Sequence, residues 1–157
     1  MAALGEVVVF RPRRLRVLAV LMSLALVGAV VIGWQALPSS LRAKFSLSQI
    51  LTLLALLAVL ELVMVAIAAS YVRADDEGLR FRNGLRSHTV SWDQVHKIVL
   101  RPGDPWALVL LLPSDGSPFE VDLDAEKRQL MGIQSTDGEL ARTAVATLRQ
   151  LRRRAVG

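Results

Sequence analysis

The sequence predicts an α+β protein in which two long apolar helices precede a β-rich domain closed by one amphipathic helix. Two uninterrupted apolar runs fill most of the first half of the chain. Short segments that alternate apolar and polar residues follow, and helical spacing returns at the end. Hydrophobic residues make up 53% of the 157 residues, and most of the excess lies before residue 73. The two halves therefore require separate interpretations.

The apolar runs extend over residues 15–37 and 50–72. Each reaches about 34 Å as a helix, and the hydrocarbon core of a bilayer is about 30 Å thick. A buried helix of a soluble protein offers only about 10–14 such residues, and the apolar core of a cleaved signal peptide is also shorter. We therefore predict a transmembrane hairpin over residues 15–72, preceded by a basic segment at 1–14. Ser46 or Ser48 is expected to cap the second helix.

The orientation follows from the flanking positive charges. The loop at 38–49 contains Arg42 and Lys44, whereas the N-terminal flank contains four arginines: Arg11, Arg13, Arg14 and Arg16. Because cytoplasmic flanks carry the excess of Lys and Arg, this bias places both termini, and with them residues 73–157, on the cytoplasmic side of the cell membrane.

Glu61 lies in the middle of the second apolar run, where a carboxylate is costly and normally faces protein or water. We interpret it as a transmembrane polar clasp. It can pair with Ser23 or Gln35, bind across a dimer, or remain uncharged. A role in ion or proton handling is the alternative. Small residues recur every four positions on the first helix, at Ala25, Ala29 and Gly33, and such stripes permit close helix approach in a homo-oligomer.

Composition excludes several functions. The formal charge is +5, but residues 1–72 contribute +4 of it and residues 73–157 only +1. The domain therefore lacks the basic excess of a nucleic-acid binder. Cysteine is absent, and no motif for phosphate, dinucleotide, zinc or nucleophilic catalysis is present. We accordingly expect no enzyme activity, cofactor or metal. The histidines, His88 and His96, would need further ligands from elsewhere to form a metal site. The alternating acids Asp122, Asp124 and Glu126 are interpreted as a solvated strand edge, with calcium binding as the alternative.

The second half contains short strands separated by turns. Asn83-Gly84 predicts a type I′ hairpin turn. The acidic turn Asp75–Glu77 follows the second apolar run, and the run Trp106–Leu112 is typical of a central strand. Strands are predicted at residues 71–74, 79–82, 85–92, 94–101, 106–112 and 119–123.

The final helix has a predicted capping box from Thr136 to Glu139, in which each side chain bonds the other's backbone amide. An apolar stripe follows at helical spacing, formed by Leu140, Ala144, Val145, Leu148 and Leu151. The predicted core residues are Trp92, Leu108, Leu110, Val121, Leu140 and Leu148.

Two apolar helices followed by YVRADDEGLRFRNGLRSHTVSWDQVHKIVL and later GIQSTDGELARTAVATLRQLRRR resemble bacterial membrane proteins with a PH-like domain. The similarity is greatest to the actinobacterial type related to low-molecular-weight protein antigen 6. It covers about residues 70–154 and implies a PH-like antiparallel β-sheet or barrel capped by a C-terminal helix. Such domains usually bind rather than catalyse. The acidic Asp75–Glu77 departs from the basic first loop of phosphoinositide-binding PH domains.

Three function classes remain open. The leading one is a non-catalytic binding or scaffolding module that meets a membrane-proximal protein. The second is an anionic-lipid sensor, and the third is an accessory subunit of a membrane enzyme or transporter. The candidate contacts for a protein or lipid are Arg80, Arg82 and Arg86. The lipid bilayer itself is an expected partner, a homo-oligomer through the helices is left as an open alternative, and no nucleic acid is expected.

The predicted topology can be tested with reporter fusions. A reporter placed after Gly157 should be active only in the cytoplasm, and one placed between Ser39 and Ser46 only outside, because of the four-to-two bias in positive charge. External activity of the fusion after Gly157 would contradict the orientation.

Overall fold

The computed structural model describes residues 7–113 and 126–157. Its long helices are α1 (Arg13–Ala36) and α3 (Leu47–Ala68), with a short α2 (Ser39–Arg42) between them. Both long helices are apolar enough to cross a membrane, and nearly all of their surface is exposed. They are therefore not core helices of a soluble fold. At the loop end, the rings of Trp34 and Phe45 pack edge to face, 5.5 Å apart.

The predicted start of α3 is confirmed, but its predicted end is wrong. The cap at Ser46 is confirmed, since its Oγ accepts a hydrogen bond from the Gln49 amide and the Gln49 side chain accepts one from the Ser46 amide. The C-terminal end comes four residues before the predicted boundary at 72. Tyr71 and Val72 leave the helix because they pair with a strand, where their backbone groups have partners.

Two antiparallel sheets form the domain. The first contains β1 (Val8–Phe10), β2 (Tyr71–Ala74), β3 (Gly78–Asn83) and β4 (Arg86–Ser91), in that order. The second contains β5 (Val95–Val99), β6 (Trp106–Leu111) and β7 (Glu126–Gln134), with β6 central as predicted. The final helix, α4 (Glu139–Val156), packs on the sheets. The α+β, PH-like architecture is thus confirmed, but the strands within the described residues form two separate sheets and not a closed barrel.

Strands β1 and β7 were not predicted. The basic segment 1–14 includes β1, which pairs with β2 from Val8–Ala74 to Phe10–Val72. The folded unit therefore takes residues from both sides of the helix pair, and a boundary at residue 73 cuts through β2. The predicted strand at 119–123 lies outside the described residues.

The β3–β4 hairpin has a different turn from the one predicted. Asn83 pairs with Arg86, so the two central residues are Gly84 and Leu85. Gly84 has φ +61°, whereas no described residue other than glycine has a positive φ. One positive φ, at the first central position, is the pattern of a type II′ turn rather than type I′.

The core lies between the sheets and α4. Trp92 and Leu148 are buried there as predicted, with Phe81, Val109 and Leu130. Leu110 is buried with Val99 in a separate small cluster, and the half-buried Leu108 packs against this cluster. The reason is that the opposite face of β6 enters the main core. Leu140 was wrongly predicted as core: it is 60% exposed. Val121 lies outside the described residues.

The predicted capping box of α4 is wrong. The helix begins only at Glu139, after Gly138 at φ +61°, and no side chain caps it. Thr136 lies in a 3₁₀ turn, Ser135–Asp137, and its hydroxyl bonds the Gln134 side chain.

Two arginines dock α4 on the second sheet. Arg149 Nε donates to the Ile98 carbonyl at 2.8 Å, and Arg152 Nε donates to the Val95 carbonyl at 2.6 Å. Both acceptors belong to β5, so α4 is fixed by polar contacts to this strand as well as by its apolar face.

The docking of α4 can be tested with two leucines of the same helix. Leu148→Ala should lower the free energy of unfolding by about 2–5 kcal/mol, since Leu148 is fully buried. Leu140→Ala is the matched control and should change it by less than about 0.5 kcal/mol. The comparison requires the full chain in detergent, because β1 belongs to the fold. Similar losses for both variants would contradict the packing of α4.

Candidate functional site

The domain is joined to the helix pair at two very short connections. Two residues separate β1 from α1, and two separate α3 from β2. Pro12, in the first connection, is fully buried, and Ser70, in the second, is 0% exposed. Such connections leave the domain little freedom to move relative to the helices.

Three long-range hydrogen bonds strengthen this junction. Arg16 Nε donates to the Ala68 carbonyl at 2.9 Å and links the start of α1 to the end of α3. The Arg14 amide donates to Asp137 Oδ1 at 3.3 Å, so the turn before α4 supplies an acceptor for the first turn of α1. The Gly84 amide donates to Ser70 Oγ at 3.1 Å and fixes the β3–β4 turn beside the end of α3. We call the β3–β4 turn, Asn83–Arg86, and the start of α4, Asp137–Leu140, the helix-proximal rim.

The acidic turn Asp75–Glu77 lies away from this rim. It follows β2, whose four residues extend about 13 Å at roughly 3.3 Å each. Asp75 Oδ1 accepts from the amides of Glu77 and Gly78, so the carboxylate shapes the turn. In strand order the helix pair occupies the first connection of the sheet, and Asp75–Glu77 occupies the second.

The strand register groups three arginines on the outer face of the first sheet. Arg73 pairs with Arg80, and Arg80 pairs with Thr89 in the next strand. Two residues closer to the helices, Arg82 pairs with Tyr71 and Ser87. Because alternate residues of a strand share a face, the side chains of Arg73, Arg80 and Arg82 lie together, and we call this group the arginine face. The predicted placement of Arg80 and Arg82 on one face of the same strand is thus confirmed, and sequence analysis missed Arg73.

Arg86 does not belong to this face. It lies opposite Asn83, on the side of the sheet that carries Phe81 and His88. It belongs instead to the helix-proximal rim. The three predicted contact residues therefore lie on two different surfaces.

The members of the arginine face differ in their bonding. Arg73 is 3.9 Å from Asp75 in an exposed ion pair. Arg82 Nε donates to the Gly84 carbonyl at 2.8 Å, which ties this guanidinium to the hairpin turn. Arg80 is exposed and has no hydrogen bond or ion pair with any described residue. Arg73 and Arg80 are like charges directly opposite each other, an arrangement that is destabilising in a sheet.

The comparison with known families agrees with this architecture. A model described as a bacterial PH domain matches residues 70–151, more than half of the chain. The chain belongs to this bacterial PH domain family. The match begins at Ser70 and ends at Leu151, so it leaves out β1 although β1 completes the first sheet. Searches of curated proteins and of solved structures found no match. The closer relation to the actinobacterial antigen 6 type stays a prediction.

A cleft of about 410 Å³ lies where the two sheets of the PH domain separate. Its walls include His88, Asp93 and Glu126. A hydrogen bond from the Ser91 side chain holds the pKa of Asp93 below its ordinary value. The described residues contain no group of three or more potential ligands for a metal ion. The ring of His88 packs against that of Phe81, with the centroids 5.2 Å apart.

Glu61 lies on the side of α3 that faces α1. The half-buried residues of this helix recur at Leu57, Glu61, Met64 and Ala68, the spacing of a helix–helix seam. Glu61 Oε1 is buried and has no hydrogen-bond partner among the described residues. Neither predicted bond, to Ser23 or to Gln35, is formed within the single chain. Glu61 Oε1 is thus an unsatisfied polar group within the α1–α3 seam, an arrangement that is costly in hydrocarbon.

Substitution of Glu61 tests this interpretation. If Glu61 clasps helices by a hydrogen bond, Glu61→Gln should preserve self-association in detergent, because an amide retains donors and acceptors. Glu61→Leu should weaken it. Sedimentation of the three proteins measures the effect, and indistinguishable association would contradict a clasp.

Proposed function

We propose that this protein is a membrane-anchored binding module. In this proposal α1 and α3 span the cell membrane, both termini lie in the cytoplasm, and the PH domain binds an acidic segment of a membrane-proximal protein through the arginine face. No catalytic step is involved. The observation that carries the proposal is the pair of opposed arginines, Arg73 and Arg80, on a sheet held two residues from the helix ends.

Helix length and exposure support membrane anchoring. As helices, α1 and α3 are about 36 and 33 Å long, enough to cross a bilayer. Pairing of β1 with β2 brings the N-terminal segment to the same end of the helices as the domain. The four arginines at 11, 13, 14 and 16 are at this end, and Arg42 and Lys44 are at the other. The positive-inside rule therefore favours a cytoplasmic domain.

The short connections support a local partner. A domain held this close to the bilayer meets other membrane proteins at a raised effective concentration, so a modest intrinsic affinity suffices. The domain is not free to search the cytoplasm. A partner with its own membrane anchor fits this geometry.

The chemistry of the arginine face supports a carboxylate-bearing partner. A guanidinium can bind a carboxylate through two parallel hydrogen bonds, and the exposed Arg80 side chain has no acceptor among the described residues. Tyr71, half-buried in the same row as Arg82, adds apolar area and a hydroxyl group. Arginine and tyrosine are both enriched at protein interfaces.

The position of the face favours a protein over a lipid headgroup. Arg80 is two residues, or about 7 Å, farther along β3 from the helix ends than Arg82 is. Arg73 lies opposite it, next to the acidic turn Asp75–Glu77. An anionic bilayer surface would repel that turn, whereas a protein can place its carboxylates beside the arginines alone. Lipid sensing through these arginines is the competing outcome.

The proposal can be tested by photocrosslinking in native membranes. A photoreactive residue in place of Thr89 would lie directly beside Arg80. We expect a protein adduct whose cross-linked peptide contains Asp or Glu. In an Arg80→Glu background its yield should fall about tenfold, equivalent to roughly 1.4 kcal/mol. Raised salt should also lower the yield, since exposed charges are screened.

Arg153→Glu is the matched control, because Arg153 is exposed at the end of α4 and distant in sequence from the arginine face. It should leave the adduct unchanged. Adducts to lipid alone, lost in the Arg80→Glu background, would favour lipid sensing instead. A protein adduct that is insensitive to Arg80→Glu would contradict the role of the arginine face.

A further inference from the structure

The PH domain carries two unusually exposed leucines. Leu85 is 71% exposed and Leu140 is 60% exposed. Outside the helix pair, they are the two most exposed large apolar side chains among the described residues. One lies in the β3–β4 turn and the other in the first turn of α4, far apart in sequence. Covering either side chain would be favourable, at about 25 cal/mol for each Å² of apolar surface removed from water.

Both leucines belong to the helix-proximal rim. Leu85 follows Gly84, whose amide is bonded to Ser70, two residues after the end of α3. Leu140 lies three residues after Asp137, whose carboxylate accepts from the Arg14 amide in the first turn of α1. Each exposed leucine is thus tied to the place where a long apolar helix meets the domain.

The turn that carries Leu85 is firmly held. Asn83 Nδ2 donates to the Gln129 carbonyl at 2.6 Å, and Asn83 Oδ1 accepts from the Met131 amide at 3.1 Å. The turn is therefore fixed to β7 on one side and to Ser70 on the other. Leu85 therefore lies at the tip of a turn whose backbone is held in place on both sides.

Basic side chains surround these leucines. Arg86 is next to Leu85 and exposed, and Arg13 and Arg14 are exposed at the start of α1. The rim carries two carboxylates: Asp137 accepts from the Arg14 amide, and the exposed Glu139 is paired with Arg142. Exposed leucines beside arginines match the boundary between acyl chains and anionic headgroups.

We infer that the helix-proximal rim docks on the bilayer, with Leu85 and Leu140 inserted at the headgroup boundary and the neighbouring arginines among anionic headgroups. This inference rests on the proposed membrane anchoring, and the occupant is the same bilayer that α1 and α3 cross. The rim is continuous with the ends of those helices. Docking at two separated points would fix the tilt of the domain and turn the arginine face to the side.

The absence of cysteine makes a direct test possible. Single variants Leu85→Cys and Leu140→Cys carry a nitroxide label in the full chain, reconstituted in vesicles of phosphatidylcholine and phosphatidylglycerol in equal amounts. Spin-label collision with oxygen, which enters lipid, is compared with collision with a water-soluble nickel complex. Both sites are exposed, so the substitutions leave the core intact, and thermal unfolding of each variant verifies this.

Matched controls lie on the same elements. Thr89→Cys is an exposed site on β4, and Val156→Cys is a 55% exposed site at the other end of α4. We expect labels at 85 and 140 to collide several-fold less with nickel than labels at 89 and 156, and more with oxygen. Removing phosphatidylglycerol should reduce this protection.

A label at Leu54→Cys, on the exposed surface of α3, reports on anchoring itself. If it is lipid-exposed while 85 or 140 is as accessible to nickel as 89 and 156, the docking is wrong and the anchoring stands. If the label at 54 is also accessible to nickel, the membrane anchoring fails, and the docking with it.

Discussion

The pairing of β1 with β2 is the constraint on which the rest of the structure depends. Phe10 faces Val72 across this pair. Helix α1 begins shortly after Phe10, and helix α3 ends shortly before Val72. Because neighbouring strands lie about 4.8 Å apart, the sheet brings the helix ends side by side. The Arg16–Ala68 hydrogen bond continues this contact into the helices. The helix pair is therefore an insertion between two adjacent strands of the domain, not an anchor attached through a linker.

Local signals predicted most elements but not the strands that depend on distant partners. Long apolar runs, alternation and the glycine turn are local, so α1, α3, β3, β4, β6 and α4 were found in the sequence. β1 has only three residues beside a cluster of arginines, and the first half of β7 is polar and exposed. Their pairing with β2 and β6 stabilises them, and such pairing has no local signature. Gly132 in β7 also reflects a distant element, because a Cβ there would lie 2.6 Å from the backbone of Tyr71 and Val72.

The candidate site was predicted in part for a related reason. Period-two alternation placed Arg80 and Arg82 on one face, but only the strand register adds Arg73 and removes Arg86. In β6 both faces are apolar, and the prediction of Leu108 and Leu110 chose the wrong face, since Val109 and Leu111 enter the main core. Leu140 satisfied the helical stripe, yet its position beside the start of α1 leaves it outside the core. In each case the missing information was the position of another element.

Arginine content alone is a poor guide to function in this chain, because four of the arginine side chains donate hydrogen bonds to backbone carbonyls. Arg16 joins the helix ends, Arg82 the hairpin turn, and Arg149 and Arg152 cover acceptors of β5. These four satisfy main-chain groups that would otherwise need water or another strand.

Arg80 differs from them because it lies in the middle of a strand, faces another arginine and has no acceptor within the described part of the chain. A fold that uses guanidinium groups so regularly to satisfy its own backbone leaves Arg80 to solvent. Its charge adds repulsion to the sheet and no bond to a described residue, which is why we propose an anionic partner for it.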